Sequence, residues 1–122
     1  MTAVYAGFLV VATHMPRLHV SLDLATSVPP DKLIHFFAYG VLGFLTGLVA
    51  TEAGVGWRRW FPLVLVGIAA FALLDETTQP MFGRDAEPFD WVADVVGAAA
   101  GLCAAASLAA AARAFKGPAI SP

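Results

Sequence analysis

Three short groups of polar residues stand out from a very apolar chain. Asp31, His35 and Tyr39 follow one another at intervals of four, so on a helix they share one face. Asp75-Glu76 is followed by Gln79, and Asp90 by Asp94, each about one helical turn on. Lys32 sits inside the first group and Arg84 lies between the second and third. His35 with Glu76 or Asp94 makes a candidate acid–base pair, because an imidazole and a carboxylate can pass a proton to and from a reacting group. Lys32 and Arg84 are candidates for holding an anion, Arg offering a planar fork that fits phosphate or carboxylate. Asp31, Tyr39, Gln79 and Asp90 complete the candidate binding set. Carboxylates around one His are equally donors for a divalent cation. The residues therefore leave the metal, any other cofactor and catalysis itself open.

A scaffold reading competes with these. Lys32 and Arg84 would then neutralise Asp94 and Glu76, and the cluster would fix the helices together; such buried pairs need good geometry to offset desolvation. Asp31 and Asp90 also read as helix N-caps, and Asp23, Asp85 and Glu87 as solvated acids. His14 and His19 read as interfacial loop residues with no assigned role.

The elements that must position these groups are apolar helices. Hydrophobic residues make up 59% of the 122 and charged residues 13%, against averages of about 45–50% and about 25% in soluble domains. A bilayer can cover that much apolar surface. Four apolar stretches run over 3–13, 33–51, 60–74 and 91–112. A spanning helix needs about 20 residues. The second and fourth stretches meet this, and the third does so with Asp75 and Glu76 in its last turn. The first is short, either an incomplete span or the remnant of an upstream start, and no Lys or Arg precedes it as in a signal peptide. The expectation is an all-α, polytopic membrane bundle in a single domain, 1–122, with helices near 3–14, 32–52, 59–78 and 90–113. Gly43 and Gly47 extend the His35–Tyr39 line, and Gly97 and Gly101 extend the Asp90–Asp94 line, so two helices can approach closely along small residues. Trp57, Trp60 and Trp91 fit an interfacial belt. Cys103, the lone cysteine, reads as a small packing residue.

Alternating helices put the 15–32 and 75–94 segments on one membrane face with eight of the nine acids. Arg58, Arg59, Arg113 and Lys116 fall on the other face with Glu52. Short cytoplasmic loops carry the Lys/Arg excess, so the acidic face is expected outside the cytoplasm. An ionisable residue inside a span is by default a functional hypothesis. A net charge of -2 without a basic stripe gives no case for nucleic acid.

Four elements in this order carry a resemblance. They are Asp31-Lys32-x-x-His35-x-x-x-Tyr39, Asp75-Glu76-x-x-Gln79, Arg84, and Asp90-x-x-x-Asp94-x-x-Gly97. The chain resembles the VanZ-like family of bacterial membrane proteins, named for a teicoplanin-resistance protein, over roughly residues 5 to 112. Asp75 stands where many relatives have an aliphatic residue. The resemblance implies a multi-pass protein of the bacterial cytoplasmic membrane, linked to the envelope and surrounded by membrane lipids. A lipid-linked or cell-wall precursor is then the expected ligand.

Overall fold

Helix is the only regular structure in the computed structural model, which describes residues 1–15, 29–54 and 56–115. Arg17, His19, Asp23 and Lys116 lie outside the described residues. The elements are α1 (Thr2–His14), α2 (Pro30–Glu52), α3 (Trp57–Thr78), one turn of 3-10 helix (Gln79–Phe82) and α4 (Pro88–Phe115). At about 1.5 Å per residue, the 23 residues of α2, 22 of α3 and 28 of α4 reach roughly 33–42 Å. The hydrocarbon core is about 30 Å thick, so all three are long and apolar enough to cross a membrane. The 13 residues of α1 reach only about 20 Å. The protein is an all-α, multi-pass membrane bundle with a short first helix. Phe37, Leu63, Val66, Leu74 and Val96 are exposed on its sides, a surface that suits lipid.

The closest packing joins α2 to α4. A Cβ added at Gly97 would lie 3.0 Å from Phe36 Cα, and one at Gly101 2.7 Å from Phe44 N. From the other side, a Cβ at Gly43 would lie 2.9 Å from Ala98 Cα. No side chain fits in these gaps, so the two backbones meet along the glycine lines read from the sequence. Tyr39, Leu42, Ile68, Ala72 and Ala98 form the core, and Leu9 docks α1 against it. Tyr5 adds a hydrogen bond from its hydroxyl to the Ala38 carbonyl, 2.9 Å away.

Several local expectations are corrected. α2 starts at Pro30, and Asp31 lies in its first turn without a capping bond from the side chain of the N-cap residue, Pro29. Proline at the start of a helix forfeits no internal hydrogen bond, and the helix dipole favours a carboxylate just after it. α4 likewise starts at Pro88, and Asp90 is fully buried with its carboxylate turned to Lys32 instead of capping the helix. Of the tryptophans only Trp57 is well exposed. Trp60 is buried at the same end of α3, while the Trp91 indole N–H donates to the Ala69 carbonyl at 3.0 Å and ties α4 to α3. Cys103 is exposed on the outer side of α4 and does not pack inside.

Candidate functional site

The start of α2, the end of α3 and the start of α4 meet at one end of the bundle. The Asp31–His35–Tyr39 face turns inward because the glycine line below it lies against α4, and Asp90 and Asp94 face back for the same reason. His35 stands at the centre. Its Nδ1 is 2.9 Å from Asp94 Oδ1 and 3.9 Å from Glu76 Oε1, while its Nε2 is 3.8 Å from Asp90 Oδ2. His35 and Glu76 are each 4% exposed, and Asp90 and Asp94 are fully buried. These four side chains are buried, with Asp31 and Arg84 part-buried beside them.

Glu76 is held from two sides. The Gln79 side-chain amide donates to its Oε1 at 3.0 Å, and the backbone N–H of Glu87 donates to its Oε2 at 3.2 Å. The 3-10 turn after α3 makes this possible by bringing Gln79 back over the helix end. Gly83 then turns the chain with φ +76°, a conformation that glycine adopts without penalty.

Lys32 does not neutralise Asp94 or Glu76. Its ammonium donates to Asp90 Oδ1 at 2.6 Å and to Glu87 Oε2 at 2.9 Å. Glu87, read from the sequence as a solvated acid, is therefore an ion-pair partner, whereas Asp85 is exposed. Arg84 likewise does not neutralise Asp94 or Glu76. Its Nη1 donates to the backbone carbonyl of Thr13 at the end of α1, and its Nε is buried without a partner. No carboxylate among the described residues forms an ion pair with it. Asp31 is half-buried and offers a carboxylate oxygen within 4.8 Å of donor atoms of His35 and Asp90.

A second polar cluster adjoins the first, and the sequence reading missed half of it. The Tyr39 hydroxyl donates to Asp75 Oδ2 at 3.3 Å, and the Thr13 hydroxyl donates to Asp75 Oδ1 at 3.0 Å. His14 Nδ1 lies 3.4 Å from the same oxygen and donates to the Val10 carbonyl at 2.8 Å. Its Nε2 hydrogen-bonds with the Thr78 hydroxyl at 3.0 Å. His14 ends α1 and is not a loop residue. The available signal was the polar pair Thr13-His14 closing an apolar run on the acidic face, at the depth where α3 ends in Asp75. Asp75 thus has partners on α1 and α2 that anchor the short helix.

Two groups of donors have metal-like proximity: His35 with Glu76 and Asp94, and His35 with Asp31 and Asp90, the ligand atoms of each lying within 4.8 Å of one another. Asp90 Oδ2, Asp94 Oδ2 and Gln79 Oε1 are buried acceptors without a hydrogen-bond partner, and such atoms are costly to leave unmatched. Chemically the cluster can accept a cation, or move a proton between imidazole and carboxylate. Comparison with known proteins finds no matching family model, no matching curated protein and no matching solved structure.

Proposed function

We propose that this is a VanZ-like protein of the bacterial cytoplasmic membrane whose polar end faces outward and binds an anionic envelope group, such as the phosphate of a lipid-linked or cell-wall precursor. Glycopeptide susceptibility is the expected phenotype, by resemblance to the family. The reading draws on the four motif elements and on the segregation of charge. Arg58, Arg59 and Arg113 are exposed at the end of the bundle opposite the acidic cluster, which fits a cytoplasmic basic face.

Arg84 carries the proposal. Seven carboxylates among the described residues stand at the same end of the bundle (Asp31, Asp75, Glu76, Asp85, Glu87, Asp90 and Asp94), yet Arg84 has no ion pair among the described residues, and its Nε donor is unused. A guanidinium with spare donors beside the site is the group an anion would meet. Lys32, already clamped by two carboxylates, serves as a structural cation in this account. Its double pair is also the observation that favours the scaffold reading, confined to the corner between α2 and α4.

Arg84→Lys tests the proposal, because Lys keeps the charge and loses the fork. In a host whose own copy is deleted, the variant should express and melt in detergent like the wild type but fail to restore glycopeptide susceptibility to its normal level. Full restoration by Arg84→Lys removes the anion-binding role.

A further inference from the structure

We infer that His35, Glu76 and Asp94 form a binding site for one divalent transition-metal cation, of the Zn2+ or Mn2+ class. The inference rests on reading the cluster as a binding site, and it names what the enclosed part of that site holds.

Geometry comes first. Donors bound to one such ion at about 2.0–2.2 Å stand roughly 3–3.5 Å apart. His35 Nδ1 lies 2.9 Å from Asp94 Oδ1 and 3.9 Å from Glu76 Oε1, which brackets that spacing. All three donor atoms lie within 4.8 Å of one another, so a modest contraction would seat an ion between them.

The second observation is independent of the spacing. Asp94 is fully buried, and its Oδ2 has no hydrogen-bond partner. Asp90 Oδ2 is likewise buried and unmatched, and it faces the other nitrogen of His35 at 3.8 Å. Acceptors left empty around one imidazole call for a positive group.

Charge gives the third reason. Lys32 pairs with Asp90 and Glu87, and Arg84 turns to Thr13. Among the described residues no Lys or Arg pairs with Glu76 or Asp94. Two buried carboxylates sharing one imidazole are expensive at membrane depth, and a dication would neutralise both. An enclosed cluster also excludes a bulky ligand while admitting an ion.

The donor set narrows the metal. Imidazole favours Zn2+ and its neighbours, and carboxylates admit Mn2+, whereas Mg2+ and Ca2+ prefer all-oxygen sites. Around the ion, Gln79 and the Glu87 amide would keep Glu76 oriented, as outer partners of metal ligands usually do.

The test uses the full chain purified in detergent, stripped with chelator, and titrated calorimetrically with Zn2+ and Mn2+. One equivalent should bind, and Glu76→Gln and Asp94→Asn should each weaken binding by at least about tenfold, with the melting temperature of the stripped protein unchanged or raised. Asp85→Asn should bind as the wild type does. Co2+ added to the wild-type protein should give visible absorption bands that Zn2+ displaces, a reading that needs no variant. Absence of one-equivalent binding and of those bands, or binding that survives both substitutions, overturns the inference. If no metal binds while Asp94→Asn still abolishes the envelope phenotype, the cation is rejected and the binding-site reading stands. If metal binds but no variant alters the envelope phenotype, the cation stands and the envelope reading fails.

Discussion

His35 and Asp94 meet at 2.9 Å across the seam between α2 and α4, where a glycine line on each helix removes every other obstacle. The same contact places an imidazole against a carboxylate that has no Lys or Arg partner among the described residues. Packing and chemistry are therefore coupled: the small residues below fix the depth and distance of the polar residues above.

That coupling predicts a sharp contrast among glycines. Gly101→Ala pushes a methyl group into Gly40 and Phe44 backbone atoms, where overpacking costs about 1–3 kcal/mol or more. Gly67→Ala on α3 meets nothing within 4 Å and should stay within about 0.5 kcal/mol of wild type. Unfolding titrations in mixed micelles measure both, and equal losses at the two positions would contradict the seam.

Lys32 should behave as a structural cation. Lys32→Met leaves Asp90 buried and unpaired, at a cost of about 3–5 kcal/mol. Adding Asp90→Asn to the same protein should recover much of that loss. A double-mutant cycle reads the coupling directly, and additive losses would show that the pair contributes nothing of its own.

The helices and their seam were legible in the sequence because hydropathy and small-residue spacing report directly on burial. The inward turn of Asp31, His35 and Tyr39 followed from the interval of four. What stayed hidden depended on which side chain reaches which partner. The scaffold reading pairs Lys32 and Arg84 with Asp94 and Glu76, but Lys32 reaches the start of α4 and takes Asp90 and Glu87. Arg84 follows the Gly83 turn toward α1. The role of His14 was hidden because the first apolar run is short, and nothing in its spacing says that its end docks beside Asp75. The partner of Trp91 was hidden as well: a carbonyl on α3 takes its N–H.

Orientation has its own test. With Cys103 replaced, a cysteine at position 85 should react with an impermeant thiol reagent in intact cells, because Asp85 is exposed at the acidic end. A cysteine at position 58 should react only after lysis. The reverse pattern would place the acidic end in the cytoplasm and remove the envelope ligand from consideration.

Asp94 and Glu76, unlike Asp90 and Asp75, serve a ligand and do not hold the fold, and Asp94→Asn is the sharpest test of this. The substitution keeps the shape and a hydrogen-bonding oxygen while removing a buried charge with no Lys or Arg partner among the described residues. Melting temperature in detergent and glycopeptide susceptibility are measured on the same variant at matched expression. The expected result is an unchanged or raised melting temperature together with loss of the envelope phenotype, the balance that follows when a costly charge is kept for function. A lowered melting temperature, with phenotype falling only in proportion to folded protein, would contradict it.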